Sequence, residues 1–148
     1  MRYTHRFRVR ADVLTVAEFH SRADVLRAIT PPPIVMRLHS APPRLGEGDE
    51  MDFTMWAGPL PIRWVARIEQ VTGNSFVDRQ VRGPFGSWVH THTFVPVGDG
   101  LTEVRDDIEA TFGRSLYGRL VSVVMWLGLP LLFAFRGWKT RRLLGRRR

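Results

Sequence analysis

The sequence predicts an α+β domain in which a curved antiparallel β-sheet of about seven strands wraps around a long C-terminal helix, with two short helices after the first strand. Three patterns predict this: an alternating strand at the start, a series of short alternating runs in the middle, and one long apolar segment near the end. Consecutive hairpins form an antiparallel sheet, and a helix that is apolar almost all round needs a concave surface to lie in. The length of 148 residues fits one domain.

The first element is a strand over residues 6–10, where charged and apolar side chains alternate. Asp12 then provides an N-cap for a short helix. Its apolar side is formed by residues at helical spacing, namely Val13, Val16, Ala17 and His20. A second short helix follows and ends at the proline run 31–33, because proline lacks the N–H that a helix needs.

The middle of the chain predicts six further strands, each bounded by glycine, proline or asparagine. They are expected over residues 34–39, 49–56, 62–71, 76–81, 88–95 and 101–108. The last element is a helix from about Ser115 to beyond Arg136. The short connections between the strands predict hairpins and therefore antiparallel pairing.

The basic residues are concentrated at the C-terminal end. The formal net charge is +8, of which Lys139–Arg148 contributes +6 and the first 138 residues only +2. We therefore divide the chain into a domain over residues 1–138 and a basic C-terminal tail over residues 139–148. Such a tail is either a solvated chain end or a segment attracted to anionic lipid or nucleic acid, and for nucleic acid it predicts only non-specific, salt-sensitive contact.

One apolar run raises the question of a membrane. Residues 120–135 form sixteen uncharged positions between Arg119 and Arg136. As a helix this run would extend about 24 Å, less than the ~30 Å hydrocarbon core of a bilayer. We expect a buried core helix, with a membrane-contacting helix and a true span as the alternatives. No secretory signal is recognisable at the start of the sequence.

Several segments together resemble a known superfamily. They are Thr30-Pro31-Pro32, Glu47-Gly48, Arg63-Trp64, Asp78-Arg79-Gln80, Gly83-Pro84-Phe85 and the run from Trp88 to Phe94. This pattern, which extends from Phe7 to about Arg136, is similar to the START-like helix-grip superfamily, also called SRPBCC. Within it, the chain resembles the bacterial polyketide cyclase/dehydrase-like, ligand-binding proteins.

The resemblance implies a hydrophobic pocket for a lipid-like or polycyclic ligand, but it does not imply one reaction. The superfamily includes sterol and lipid carriers, plant hormone receptors, aromatic cyclases and chaperone activators. Function must therefore be argued from the site.

Strand periodicity allows the inward face of the sheet to be predicted, since alternate residues share a face. With a hairpin loop over 83–87, Asp78 lies opposite His92 and Gln80 opposite His90. The expected ligand-binding residues of the sheet are Trp64, Asp78, Gln80, Trp88, His90, His92, Phe94 and Asp106. From the helix we expect Leu120, Val124, Leu127 and Leu131. Together these residues predict an apolar concave surface crossed by a row of polar side chains, which we call the polar stripe.

Four interpretations of the polar stripe remain open. In the first, its residues form a buried hydrogen-bonded network, and in the second they orient a ligand. In the third, a histidine paired with Asp78 or Asp106 performs acid–base chemistry, and in the fourth His90 and His92 bind a metal. No third metal ligand is placed by the sequence, so no metal and no cofactor are expected. The absence of cysteine excludes disulfides, thiolate nucleophiles and cysteine-built zinc sites.

The function that the sequence predicts is binding of a hydrophobic small molecule or lipid between sheet and helix. One alternative is a polyketide cyclase or dehydratase in the same cavity, so whether the protein is an enzyme stays open. The other is a lipid-handling protein that docks on an anionic membrane surface through the C-terminal helix and residues 139–148. We expect a cytoplasmic protein, at the inner face of the membrane in the docking alternative. The oligomeric state is not predicted.

Overall fold

The computed structural model describes residues 1–145 as a seven-stranded antiparallel sheet with three helices. In chain order the elements are β1 (Arg2–Val9), α1 (Val13–Ser21), α2 (Ala23–Ala28), β2 (Val35–Ser40), β3 (Glu50–Ala57), β4 (Leu60–Glu69), β5 (Ser75–Arg82), β6 (Ser87–Gly98), β7 (Leu101–Thr111) and α3 (Leu116–Leu144). This order and the antiparallel sheet confirm the predicted architecture.

The strands are arranged in the order β1-β7-β6-β5-β4-β3-β2. Each strand from β2 to β7 pairs with its neighbour in sequence, and β1 pairs with β7 from Arg2↔Glu109 to Val9↔Thr102. The helices α1 and α2 therefore connect the two edge strands of the sheet.

Burial along the strands follows the predicted period of two. On β4 the buried positions are Ile62, Trp64, Ala66 and Ile68. On β7 they are Thr102, Val104, Asp106, Ile108 and Ala110. This inner face is covered by α1 at one end and by α3 along its length, and the core divides accordingly into two apolar clusters. One cluster packs around α1 and the other lies under the first half of α3.

Helices α1 and α3 begin where the sequence predicts, α1 at its predicted N-cap Asp12 and α3 at Ser115. The Asp12 carboxylate accepts a hydrogen bond of 2.8 Å from the Thr15 N–H, and the Ser115 hydroxyl accepts one of 2.9 Å from the Gly118 N–H. These bonds satisfy backbone donors that have no partner within the helix.

The last helix extends further than predicted and is buried on one side only. It continues through Lys139 to Leu144, and Thr140 and Leu144 are buried, so the expected boundary at residue 138 does not coincide with the end of an element. Residues 146–148 of the predicted tail lie outside the described residues. By length and composition α3 could cross a membrane, since its most apolar 18-residue window has a mean hydropathy of 1.8. Only 28% of that window is buried, which contradicts the expectation of a core helix buried on all sides.

Candidate functional site in the cavity between sheet and α3

A cavity of about 680 Å³ lies between the concave face of the sheet and α3. Most of its wall is apolar, with Phe53 and Trp64 on the sheet and Met125 and Leu132 on the helix. Its volume lies within the range of ~300–1,000 Å³ that is usual for small-molecule sites. The shape and chemistry of the cavity suit an apolar ligand.

Four ionisable side chains from three strands meet at the inner end of this cavity. The pairing of β5 with β6 places Asp78 opposite His90, and the pairing of β6 with β7 places His92 opposite Asp106. His90 Nε2 lies 2.8 Å from Asp106 Oδ1, and His90 Nδ1 lies 3.3 Å from Asp78 Oδ2. His92 Nε2 lies 2.5 Å from the same Asp78 oxygen. We refer to Asp78, His90, His92 and Asp106 as the polar cluster.

The contacts of His90 define its protonation. Both ring nitrogens face carboxylates, which only accept hydrogen bonds, so both nitrogens carry a proton. Burial disfavours the charged ring, but the carboxylates of Asp78 and Asp106 outweigh burial and raise the pKa of His90 to about 9. The imidazolium in turn holds the pKa of Asp78 well below its usual range, although burial opposes this effect. His90 is therefore a charged bridge between two carboxylates at neutral pH.

The second histidine of the polar cluster is neutral. Burial lowers the pKa of His92, and the neighbouring positive charge of His90 lowers it further. Its Nε2–H donates to Asp78, which leaves Nδ1 unprotonated and without a hydrogen-bond partner among residues 1–145. His20 of α1 also lines the cavity, and burial lowers its pKa to about 4.

The geometry of the polar cluster differs from that of a preformed metal site. Asp78, His90 and His92 each offer an atom within 4.8 Å of the others, which supplies the third group that the sequence did not place. However, the two imidazoles stack with centroids 3.7 Å apart and planes 27° apart. Their nitrogen lone pairs lie in these nearly parallel planes and do not converge on a point about 2.1 Å from both, as zinc would need. The arrangement is that of a hydrogen-bonded cluster.

Comparison with known proteins shows similarity at the level of the fold. No protein-family profile matches the sequence, and a search of curated proteins gives no match. Among solved structures, norcoclaurine synthase from Thalictrum flavum, in complex with dopamine and hydroxybenzaldehyde, superposes with a TM-score of 0.72 at 17% identity. The match covers 100% of this chain and 88% of that one. The chain has the START-like helix-grip fold.

Two other neighbours share this helix-grip fold. Protein Ms6760 from Mycobacterium smegmatis has a TM-score of 0.69 at 18% identity, over 97% of this chain and 90% of that one. The di-domain ARO/CYC protein BexL from the BE-7585A biosynthetic pathway has a TM-score of 0.68 at 14% identity, over 95% of this chain and 46% of that one. These matches confirm the helix-grip fold that the sequence predicts.

The helix-grip cavity contains seven of the twelve predicted ligand-binding residues. Those in its wall are Trp64, Asp78, Trp88, His90, His92, Leu120 and Val124. Those outside it are Gln80, Phe94, Asp106, Leu127 and Leu131. The prediction was therefore better for the sheet than for the helix, and each exception has a structural cause.

The three exceptions on the sheet are engaged elsewhere. The Gln80 side chain exchanges two hydrogen bonds with the Phe85 backbone and so holds the β5–β6 connection. Phe94 is buried in the cluster around α1. Asp106 is not in the cavity wall but contacts two residues that are, since its Oδ1 lies 2.8 Å from His90 Nε2 and 3.6 Å from His92 Nδ1. The predicted register was wrong by two residues, because the last β5–β6 pair is Arg79↔Val89 and the connection is longer than residues 83–87.

The two exceptions on the helix result from its rotation. Leu127 and Leu131 are 74% and 80% exposed, while the residues that face the cavity include Val121, Met125 and Leu132. The row of α3 residues that faces the cavity is thus displaced by about one position along the chain from the predicted row. This corresponds to a rotation of the helix about its own axis by about 100°. Small residues cause this, because the backbone of α3 approaches its neighbours at Gly118, whose added Cβ would lie 3.1 Å from the Pro84 carbonyl oxygen.

The cavity wall contains three basic residues that were not among the predicted ones, namely His20, Arg22 and Arg136. His20 lies on the apolar side of α1, a position that its helical spacing had already indicated. Arg136 follows Gly128 and Leu132 at intervals of four on α3, so it belongs to the stripe that faces the cavity. In the sequence, Arg136 marks only the end of the apolar run.

Proposed function

We propose that this protein binds a hydrophobic small molecule or lipid in the cavity between the sheet and α3. The observation that carries the proposal is the apolar cavity of about 680 Å³ with a small polar cluster at its inner end. Few polar groups in an apolar wall are typical of sites that orient a largely apolar ligand. The dopamine and hydroxybenzaldehyde bound by norcoclaurine synthase, which has the same fold, support a small organic ligand.

Blocking the cavity tests this proposal. A Cβ added at Gly128 would meet no atom within 4 Å, so Gly128→Trp would place an indole inside the cavity. Leu127→Trp is the matched control, because Leu127 points away from the cavity. We expect the wild type and the control to bind Nile red and to retain a copurified ligand in native mass spectrometry. Gly128→Trp should lose both, and equal binding by Gly128→Trp and wild type would contradict the proposal.

The polar cluster gives less support to acid–base catalysis than to ligand orientation. His90 donates a hydrogen bond from Nε2 to Asp106, and its Nδ1 lies 3.3 Å from the Asp78 carboxylate, so both nitrogens face an acidic partner. Within the polar cluster, His92 Nδ1 is the nitrogen left to accept a proton, and this atom is buried. The other neutral histidine of the cavity wall, His20, has a pKa lowered to about 4 and is a weak base.

We propose a second role, docking on an anionic membrane surface, because of the outer face of α3. This outer face consists of exposed apolar side chains, namely Leu116, Tyr117, Leu120, Val124, Leu127, Leu131 and Trp138. Soluble proteins rarely expose so continuous an apolar surface without a partner. Tyr117, Leu120 and Val124 also belong to the cavity wall, so the outer face adjoins the cavity mouth.

The charge around the outer face favours an anionic bilayer as its partner. No acidic residue follows Glu109, whereas nine of the 22 basic residues do. Arg114 and Arg119 lie at the start of α3, and Lys139 and Arg142 lie near its end, so both ends of the outer face are basic. Each basic side chain near an anionic surface contributes about 1 kcal/mol to binding. We place this docking at the cytoplasmic face of the membrane.

Vesicle flotation separates the apolar and electrostatic parts of docking. Truncation at residue 139 is unsuitable, since it would remove the buried Thr140 and Leu144. Instead, Leu127→Ser/Leu131→Ser should abolish binding to phosphatidylcholine vesicles that contain phosphatidylglycerol. Changing Arg114, Arg119, Lys139 and Arg142 to Gln should remove the preference for phosphatidylglycerol. The matched control changes four basic residues elsewhere to Gln, namely Arg6, Arg10, Arg27 and Arg37, and should bind normally. Binding that survives both sets of changes would contradict membrane docking.

A further inference from the structure

Arg136 introduces a positive charge into an otherwise uncharged part of α3. It is the only charged residue between Arg119 and Lys139. Its side chain is half-buried and belongs to the cavity wall, on the same stripe as Leu132. An arginine in such a position requires a physical explanation, since its guanidinium loses part of its hydration.

The guanidinium of Arg136 has no polar partner in the described part of the chain. No hydrogen bond and no ion pair within 4.0 Å is formed with residues 1–145, and its Nε is buried and unpaired. The guanidinium instead lies 5.4 Å from the ring centroid of Phe133. Several other arginines of the protein have a polar partner, for example Arg63 with Asp52 and Arg141 with the Arg8 carbonyl oxygen. Buried donors are rarely left without an acceptor in folded proteins.

The carboxylates nearest to Arg136 are already engaged. Asp78 interacts with both histidines of the polar cluster, and Asp106 interacts with His90. Both carboxylates favour the charged form of Arg136, but burial is the larger effect and lowers its pKa. The guanidinium therefore retains its capacity to donate hydrogen bonds to a further acceptor.

The charged groups around the cavity leave Arg136 without an acceptor in contact. The polar cluster holds two carboxylates and one imidazolium and so carries one net negative charge, but within residues 1–145 neither carboxylate lies within 4.0 Å of the Arg136 guanidinium. Arg22, at the cavity margin, is paired with Asp24. The N–H donors of Arg136 therefore still lack a partner, which an anionic group of the ligand would supply. A single guanidinium matches one carboxylate, because its planar N–H groups bind the two oxygens as a pair.

We propose that the ligand is an amphipathic carboxylic acid whose carboxylate pairs with Arg136. Its apolar body would lie along Leu132 and Met125 of α3 and against Trp64 of the sheet. This inference rests on the proposed binding function and adds the chemical class of the ligand. It also explains why a charged residue interrupts the apolar stripe of the helix at the inner end of the cavity.

Oleic acid and methyl oleate form the test pair, because they differ mainly in the charge of the head group. Binding to the full-length protein would be measured by displacement of Nile red. We expect the acid to bind at least about tenfold more tightly than the ester, as for one hydrogen-bonded charge pair. Arg136→Met should remove this preference while leaving the affinity for the ester unchanged, which would also show that the cavity is intact. Arg136→Lys should retain part of the preference, and Arg27→Met, an exposed control outside the cavity wall and the outer face, should retain all of it.

The outcomes distinguish this inference from the proposed function. Equal affinity of the wild type for acid and ester, or a preference that persists in Arg136→Met, would overturn the carboxylate assignment and leave the binding function in place. Failure of the wild type to bind either compound would overturn both.

Discussion

Along α3, the face that meets the sheet and the face that meets solvent differ in residue size more than in polarity. The inner face contains Gly118, Ser122, Gly137 and Thr140 between its larger buried residues. The outer face contains leucines at 116, 120, 127 and 131, and Leu116 is 88% exposed. The more hydrophobic face is therefore the one that the fold leaves uncovered.

This difference shows that close approach, rather than hydropathy, determines the rotation of α3. A Cβ at Gly118 would lie 3.1 Å from the Pro84 carbonyl oxygen, so a side chain there would push the start of α3 away from the β5–β6 connection. A Cβ at Gly137 would lie in ordinary contact with the Phe7 ring of β1, at 3.4 Å, so α3 and β1 are also closely packed there. Leucines on the outer face contribute little to folding, because they remain in water. Their presence points to a role outside the folded core, such as the membrane docking proposed above.

The largest expected effect comes from truncating neighbouring leucines on opposite faces of α3. Leu129 is 1% exposed and Leu127 is 74% exposed, although they are only two residues apart. Leu129→Ala should reduce the free energy of unfolding by about 3 kcal/mol, because it leaves a cavity in the core. Leu127→Ala should change it by less than about 0.5 kcal/mol. Urea unfolding followed by circular dichroism measures both, and equal losses would refute the assignment of the two faces.

Much of the sheet could be predicted from the sequence, because strand periodicity is a local property. Alternation identified the buried side of β4 and β7, including Trp64 and Asp106. The register of β5 and β6 could not be predicted in this way. It depends on the hydrogen bonds from Gln80 to Phe85 across the connection, which the residue pattern does not reveal. The predicted register of β5 against β6 was wrong by two residues. Because side chains alternate between the two faces of a sheet with a period of two, this error left every side chain on its predicted face.

The candidate site was less predictable where it depends on α3. An apolar helix offers several possible stripes, and Leu120, Val124, Leu127 and Leu131 are the most hydrophobic choice. The observed stripe is set by steric contacts at Gly118 and Gly137, which involve residues distant in sequence. Arg136 was missed for the same reason, since its position in the cavity follows from the rotation of the helix.

The next largest expected effect is a dependence of folding stability on pH, which arises from buried histidines on the inner side of the molecule. The pKa of His90 is raised to about 9 in the folded protein, against ~6.5 for an unfolded histidine. The folded state binds this proton more tightly, so the stabilisation is complete below pH ~6.5 and is lost as the pH rises to about 9. The expected loss is about 3 kcal/mol. His20 has the opposite effect, because its lowered pKa of about 4 makes stability fall as the pH decreases from ~6.5.

Urea unfolding at several pH values between 6.5 and 9, with NMR titration of the His90 ring, measures the alkaline loss. The Leu127→Ser/Leu131→Ser variant is the control, since the outer face carries no titrating group in this range and should show the same loss. His20→Gln should reduce the acidic decrease, to which the lowered pKa of His92 also contributes, and should keep the alkaline one. A stability that is constant from neutral pH to pH 9 would contradict the charged bridge formed by His90.

The smallest expected effect compares two glycines of α3, and it tests the steric explanation of the helix rotation directly. A Cβ at Gly118 would lie 3.0 Å from Ser115 Oγ and 3.1 Å from the Pro84 carbonyl oxygen, whereas a Cβ at Gly128 would meet nothing within 4 Å. Alanine is favoured over glycine within a helix by about 1 kcal/mol, so Gly128→Ala should stabilise the protein by up to that amount. Gly118→Ala should instead destabilise it by about 1 kcal/mol, because steric strain exceeds the gain in helix propensity. Urea unfolding measures both changes. Equal stabilisation by the two alanines would contradict the proposal that close approach at Gly118 determines the rotation of α3 and so places its leucines on the outer face.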